Sequence, residues 1–159
     1  MIALGKAIGM NVVAWTLHPT RERGKDYGVQ FMTLEEVLSQ SDVVSIHVAL
    51  SSETEQLIGA HELRLMKETS ILINTARGGV LDQEALLECL IEKRIAGAGL
   101  DVFESEPLLQ EHPLISLDNV VLSPHVGGMA YNGTMRGLEM SIENLESYVA
   151  NDPVFVVNK

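Results

Sequence analysis

Short apolar runs alternate along the whole chain with longer segments of helical periodicity. The runs are rich in Val and Ile and lie at residues 11–15, 42–48, 70–75, 96–102 and 119–124. Helical patterns separate most of them, at 33–40, 61–67 and 82–94, and a last one covers 129–151. This alternation predicts an α/β fold with a mainly parallel sheet. Because the runs are apolar on both faces, we expect helices on each side of the sheet.

Local signals mark the ends of these helices. Thr33 and Glu36 form the pattern of a capping box at the start of the helix at 33–40. Asp82 is a good N-cap for the segment 82–94, whose basic end suits the helix dipole. The segment 129–151 has apolar residues at steps of three or four: Met135, Leu138, Ile142, Leu145 and Val149.

Length and charge exclude several classes of protein. A chain of 159 residues is long enough for one domain with a real core. Its net charge of −11 argues against nucleic acid or an anionic membrane as a partner, since both require a basic face. The single cysteine, Cys89, rules out an internal disulfide, and the histidines never fall at metal-ligand spacing. The histidine spacing therefore predicts no metal site. No run reaches about 18 apolar residues, so we expect a cytoplasmic protein without a membrane span.

Polar side chains follow three of the predicted strands. "NTARGG" carries Arg77, "GLDVFESEP" carries Asp101 and, beyond it, Glu104 and Glu106, and "LSPHVGG" carries His125. Parallel sheets bind ligands beyond the carboxyl ends of their strands. Taken singly, each residue has a structural reading: a surface ion pair, a turn former or a structural histidine. Together they indicate a site.

The three residue types complement one another chemically. A histidine exchanges protons near neutral pH, and a carboxylate beside it favours the imidazolium form. An arginine binds a carboxylate through two parallel hydrogen bonds. The set suits the reduction of a 2-oxo acid, with arginine holding the acid and histidine supplying a proton, provided that another group donates hydride.

A family resemblance in four consecutive motifs implies a cofactor that would donate this hydride. "DVVSIHVALSSETEQLIG", "LMKETSILINTARGGVLDQEALLECL", "IAGAGLDVFESEPL" and "NVVLSPHVGG" together resemble the cofactor-binding domain of the D-isomer-specific 2-hydroxyacid dehydrogenases. The resemblance covers nearly the whole chain, in the family's order and spacing. It implies a Rossmann-type doubly wound parallel sheet, an NAD or NADP cofactor, a small 2-oxo or 2-hydroxy acid substrate and a homodimer.

The resemblance also assigns roles by position. It places the substrate-binding arginine on Arg77, the histidine-orienting glutamate on Glu106 and the general acid/base on His125. It implies that Asp101 binds the nicotinamide amide. The other implied cofactor contacts are Val48, Ala49, Thr54, Thr75, Ala76, Gly127 and Gly128.

Two small departures from the family concern loops. Ala49 stands where the family commonly has proline, which we expect to loosen that loop. The family usually ends its second strand with an acid that bonds the adenosine ribose hydroxyls and selects NAD. Thr16 takes this place, followed by His18, Arg21 and Arg23. We therefore expect Thr16 to lie at the cofactor, with weakened NAD preference and NADP use.

A third departure is large. The family's domain begins with a strand and a G-x-G-x-x-G turn that holds the pyrophosphate, whereas this chain starts at "MIALGKAIGMNVVAW", inside the following helix. We expect residues 1–159 to be a partial dinucleotide-binding domain lacking its first strand and Gly-rich loop, without the substrate domain. The strand at 11–15 and the strands on the side of 70–75 would then lose a neighbour. Such a chain would bind cofactor weakly and turn over little.

Two other functions remain open at this point. The same fold serves as a non-catalytic dinucleotide-sensing or protein-interaction module in related corepressors, which keep similar residues. A degenerate structural fragment would show no cooperative unfolding.

Overall fold

A computed structural model describes residues 1–129 and 131–156 of the chain. The chain divides into two compact units, Met1–Pro124 and His125–Lys159.

The first unit alternates strands and helices as the sequence predicts. Its strands are β1 (Val13–Ala14), β2 (Gln30–Phe31), β3 (Val43–Ile46), β4 (Ile71–Asn74), β5 (Gly97–Leu100) and β6 (Val120–Leu122). Its α-helices are α1 (Ile2–Ala7), α2 (Arg21–Tyr27), α3 (Leu34–Gln40), α4 (Ala60–Leu65) and α5 (Gln83–Ile91). Two short 3₁₀ helices cover Gly78–Val80 and Pro113–Ser116.

The strands form two parallel sheets. β1 pairs with β2, and the larger sheet has the order β3-β4-β5-β6. In the larger sheet Ile46, Asn74, Leu100 and Leu122 lie side by side, so the carboxyl ends of its strands share one edge. The sequence predicts that the strands on the side of 70–75 lose a neighbour. In the larger sheet β4 is paired on both sides, whereas β3 is an edge strand.

Helices α3, α4 and α5 build the core against one face of the larger sheet. Leu38, Leu63 and Leu86, one from each helix, are fully or almost fully buried in a cluster with Leu72 of β4 and Leu100 of β5. Burying apolar area in this way is the main stabilising contribution to such a domain.

Three apolar side chains on the other face of the larger sheet are exposed. Val43, Ile71 and Val121 point away from the core and are 43%, 41% and 74% exposed. Within Met1–Pro124, α3, α4 and α5 all pack on the face of Leu72 and Leu100, and the parallel sheets with flanking helices confirm the predicted α/β fold.

The predicted helix starts are confirmed, and one helix end is not. Thr33 Oγ1 accepts from the Glu36 amide at 3.2 Å, and Glu36 Oε2 accepts from the Thr33 amide at 2.9 Å, which is the capping box. Asp82 caps α5 by accepting from the Ala85 amide at 2.9 Å. However, α5 ends at Ile91, before the basic residues, because Lys93 turns the chain into the left-handed region with φ of 54°.

Two short elements were not predicted from the sequence. α2 buries no residue and shows no apolar stripe, and β2 has only two residues. α1 agrees with the expectation that the chain starts inside a helix. Thr20 caps α2, and Gly28 ends it in the left-handed conformation that glycine adopts without steric cost.

The second unit contains α6 (Tyr131–Val149), within the segment 129–151 predicted as helical; Ala130 lies outside the described residues. The five apolar residues predicted at helical spacing lie on α6 and are all exposed. Within residues 1–129 and 131–156, no helix combines the length and apolar character that crossing a bilayer requires.

Candidate active site

The turn after β4 presents Arg77 on a framework built by Asn74. Asn74 is fully buried, and its amide donates to the Arg77 carbonyl and accepts from the Ala76 amide, each at 3.0 Å. Ala76 is half-buried, whereas Thr75 and Arg77 are exposed. Arg77 Nη1 donates to the Ala76 carbonyl at 2.6 Å. The backbone that carries the guanidinium is therefore fixed, although the guanidinium itself reaches solvent.

Gly78 brings the Arg77 turn into contact with the loop that follows β5. A Cβ atom at Gly78 would lie 1.9 Å from the Phe103 carbonyl carbon and 2.4 Å from the Glu104 nitrogen. No side chain fits in that space, so glycine follows the arginine because two backbones touch there.

The same loop carries Glu106. Its carboxylate is exposed and accepts from the Phe103 amide at 3.0 Å. Gln83, the first residue of α5, fixes this loop through two hydrogen bonds. Its backbone amide donates to Glu104 Oε1 at 3.1 Å, and its side-chain Oε1 accepts from the Glu104 backbone amide at 3.2 Å. The Arg77 turn and the Glu106 loop therefore form one packed assembly at the carboxyl ends of β4 and β5.

Asp101 lies at the end of β5 and is only 5% exposed. Its backbone amide donates to the Asn74 carbonyl at 3.0 Å, which extends the ladder between β4 and β5. Ser123, at the end of β6, donates from its hydroxyl to Asp101 Oδ1 at 2.5 Å. A buried carboxylate thus lies between two strand ends.

The loop after β3 holds three of the predicted cofactor contacts. Val48 is half-buried and packs on the core, and Ala49 is exposed. Thr54 is 1% exposed, and its hydroxyl donates to the Ala49 carbonyl at 2.6 Å and accepts from the Ser51 amide at 2.8 Å. The Thr54 hydroxyl thus shapes the loop from inside, and a cofactor contact from this residue stays a prediction.

His47, just before that loop, makes a contact with Ser45. The Ser45 hydroxyl and His47 Nε2 are 2.8 Å apart. Partial desolvation lowers the pKa of His47, and the positive amino terminus acts in the same direction. His47 is thus favoured in its neutral form.

The loop after β1 carries Thr16 and the basic residues predicted to favour NADP. Thr16 is half-buried, and His18 and Arg21 are exposed. Arg23 is engaged within the protein, since Nη1 donates to the His18 carbonyl at 2.6 Å and the guanidinium lies 6.0 Å from the centre of the Phe31 ring. Arg21 is therefore the arginine better placed to meet an anionic ligand.

His125, Gly127 and Gly128 belong to the second unit. His125 is exposed and has φ of 54°, a left-handed conformation that is uncommon for a residue with a Cβ. The Met129 amide donates to the Val126 carbonyl at 2.8 Å and closes the turn. A Cβ at Gly128 would meet nothing within 4 Å, so the described protein atoms leave room for a side chain there.

Sequence analysis missed three residues that shape the site: Asn74, Gln83 and Ser123. Each acts through contacts with other parts of the chain, which residue type and spacing do not reveal. For Asn74 a signal existed, because a polar residue at the end of a buried apolar run needs local partners.

Comparison with known proteins gives consistent matches. The family model described as "D-isomer specific 2-hydroxyacid dehydrogenase, NAD binding domain" matches residues 1–127. A glyoxylate reductase of Aeropyrum pernix is 43% identical over 157 residues, which is 98% of this chain and 47% of the reductase. The chain thus spans about half the length of the curated relatives it matches.

Solved structures agree with this match. The TT0316 protein of Thermus thermophilus superposes with a TM-score of 0.88 at 39% identity, covering 95% of this chain and 47% of that one. A D-lactate dehydrogenase of Aquifex aeolicus complexed with NAD and lactic acid gives 0.84 at 31% identity, covering 95% and 50%. An acyclic imino acid reductase complexed with NADPH and D-Arg gives 0.83 at 33% identity, covering 99% and 49%.

Proposed function

Because this chain belongs to the D-isomer-specific 2-hydroxyacid dehydrogenase family, whose NAD-binding domain it matches, we propose that the protein reduces a small 2-oxo acid with NAD(P)H. The observation that carries this proposal is the packed assembly of the Arg77 turn and the Glu106 loop at the carboxyl ends of β4 and β5. Ligands bind at this edge of parallel α/β sheets.

The described residues fit the nicotinamide end of the cofactor. Asp101 is a buried carboxylate at a strand end, which is the acceptor that a carboxamide N–H requires. When bound, the reduced cofactor supplies hydride for C2 of the substrate. The G-x-G-x-x-G turn that holds a pyrophosphate is not in this sequence. We propose that this turn, and the pocket for the substrate's side chain, lie in sequence that corresponds to the part of the relatives that this chain does not match.

The proposed chemistry assigns one task to each of three side chains. Arg77 is exposed on a fixed turn, so it can bind the substrate carboxylate through two parallel hydrogen bonds. His125 donates the proton that the oxygen on C2 takes up during reduction. The family resemblance gives Glu106, by position, the task of orienting the general acid.

The decisive experiment compares two proteins. One is the 159-residue chain, and the other joins to it the portion of the Aeropyrum pernix reductase that the chain does not match. We expect the longer protein to oxidise NADH or NADPH in the presence of glyoxylate or another 2-oxo acid, and the chain alone to be much slower.

Variants of the longer protein test the assigned roles. Removing a general acid typically costs a factor of about 10²–10⁴, so we expect His125→Ala to lower kcat to that extent. Arg77→Ala should mainly raise KM for the 2-oxo acid. His61→Ala is the matched control, since His61 is an exposed histidine of α4. Unchanged turnover in His125→Ala would contradict the mechanism.

Cofactor preference is a second part of the proposal. The loop after β1 has no carboxylate between Trp15 and Thr20, and Arg21 is exposed beside it. Such a loop accepts the 2′-phosphate of NADP, whereas a carboxylate at Thr16 would repel it. We expect kcat/KM to be at least as high with NADPH as with NADH, and Thr16→Asp to shift the preference to NADH. A strong preference of the unchanged protein for NADH would refute this part.

A further inference from the structure

Asp101 and Ser123 join the ends of two neighbouring strands through their side chains. Ser123 Oγ lies 2.5 Å from Asp101 Oδ1, a distance typical of a hydroxyl bonded to a charged carboxylate. Asp101 is the only buried ionisable residue among those that the structure describes, apart from Cys89. Ser123 is half-buried.

The backbones on both sides of this contact are fixed. The Asp101 amide donates to the Asn74 carbonyl, and the Ser123 amide donates to the Leu100 carbonyl at 2.9 Å. Both residues therefore continue the ladders of the larger sheet. The Ser123 hydroxyl has a single hydrogen, and it donates that hydrogen to Asp101 Oδ1. This hydrogen bond orients the Asp101 carboxylate.

A buried carboxylate is costly without such partners, because burial removes its hydration. The Ser123 hydroxyl replaces part of that hydration. Alanine at position 123 would remove this donor from the carboxylate.

We propose that Ser123 is a positioning residue that holds the Asp101 carboxylate in the orientation in which it accepts a hydrogen bond from the nicotinamide carboxamide. The inference rests on the proposed function, which places Asp101 at the nicotinamide. Ser123 itself touches neither cofactor nor substrate in this proposal; it acts through Asp101 alone.

The test measures cofactor binding in the longer protein described above, by fluorescence titration with NADH and with reduced 3-acetylpyridine adenine dinucleotide. The analogue has a methyl ketone in place of the carboxamide, so it has no N–H to donate to Asp101. Losing one well-formed hydrogen bond corresponds to a factor of about ten in Kd. We expect Ser123→Ala to weaken NADH by about that factor and the analogue much less.

Two further variants separate the hydroxyl from the shape of the side chain. Ser123→Thr keeps the hydroxyl and Ser123→Val has the same shape without it, so only the threonine variant should bind NADH like the unchanged protein. Ser116→Ala is the matched control, because the Ser116 hydroxyl donates to the Pro113 carbonyl within the 3₁₀ helix Pro113–Ser116, away from Asp101 in the sequence. Thermal unfolding of each variant shows that it is folded.

The outcomes are distinguishable. Equal weakening of NADH and the analogue, or a valine variant that binds NADH like the threonine variant, would overturn the role of Ser123 while leaving the proposed function intact. An unchanged protein that binds neither NADH nor the analogue would overturn the proposed function, and this inference with it.

Discussion

Substitution of Gly78 by alanine tests the contact between the Arg77 turn and the Glu106 loop. Ordinary van der Waals contact begins near 3.4 Å, and the new Cβ would lie 1.9 Å from the Phe103 carbonyl carbon, so the two backbones must separate by about 1.5 Å. Neither can move easily, because Asn74 fixes the turn and Gln83 fixes the loop. Gly78 has no positive φ, so the cost is steric rather than conformational.

The expected cost is at the upper end for overpacking a protein interior, about 3 kcal/mol. For a chain of this size that lowers the melting temperature by about 6–12 °C. Urea unfolding followed by circular dichroism measures the free energy of unfolding in the 159-residue chain.

Gly79→Ala is the matched control for that measurement. Its Cβ would meet only the end of the Leu50 side chain, at 3.2 Å, and Leu50 is 47% exposed and can move aside. We expect a change within about 0.5 kcal/mol. If Gly78→Ala unfolds like the unchanged chain, or if the two variants lose the same stability, the close contact of the two backbones does not exist as described.

Three further predictions concern stability and reactivity. The pKa of His47 is lowered in the folded chain, so protons bind the unfolded chain more tightly and stability falls as pH drops below about 6.5; His47→Gln should flatten this loss in urea unfolding between pH 7.5 and 5, and parallel profiles would refute it. Burial raises the pKa of the Cys89 thiol, so a disulfide reagent at pH 8 should label it slowly in the folded chain and fully in urea, and rapid labelling of the folded chain would contradict its burial. Thr54→Val leaves the Ala49 carbonyl and the Ser51 amide without their partner and should cost about 1–3 kcal/mol; Thr54→Ser should cost clearly less, and equal losses would exclude the hydroxyl as the cause.

Elements with a strong local signal were predictable from the sequence. The capping box at Thr33, the Asp82 cap and the four strands of the larger sheet follow from local residue types and apolar periodicity. α2 was not predictable, because it buries nothing and carries no apolar stripe. Likewise, no apolar count shows that α5 ends at Ile91, since the end depends on the left-handed turn at Lys93.

The same distinction between predictable and unpredictable residues applies to the candidate site. Residue chemistry at strand ends indicated Arg77 and Asp101, because charged side chains after buried runs stand out. The residues that hold them, Asn74 for the Arg77 turn and Ser123 for Asp101, did not stand out. Both are common polar residues whose importance comes from their hydrogen-bond partners in the fold. Sequence patterns show which groups are available for chemistry, whereas tertiary contacts decide which groups hold them.

The division of the strands into two sheets has a consequence for cofactor affinity. Among the residues that the structure describes, no ladder joins β1 and β2 to the larger sheet, and α1 and α2 bury no side chain. Segments with few buried contacts open locally at a lower free energy than the core, so amide hydrogens of β1 and β2 should exchange with solvent faster than those of β4. The loop with Thr16 and Arg21 lies in this weakly protected segment. A nucleotide that binds there must supply the free energy that orders the segment, and a tightly bound nucleotide should slow its exchange the most.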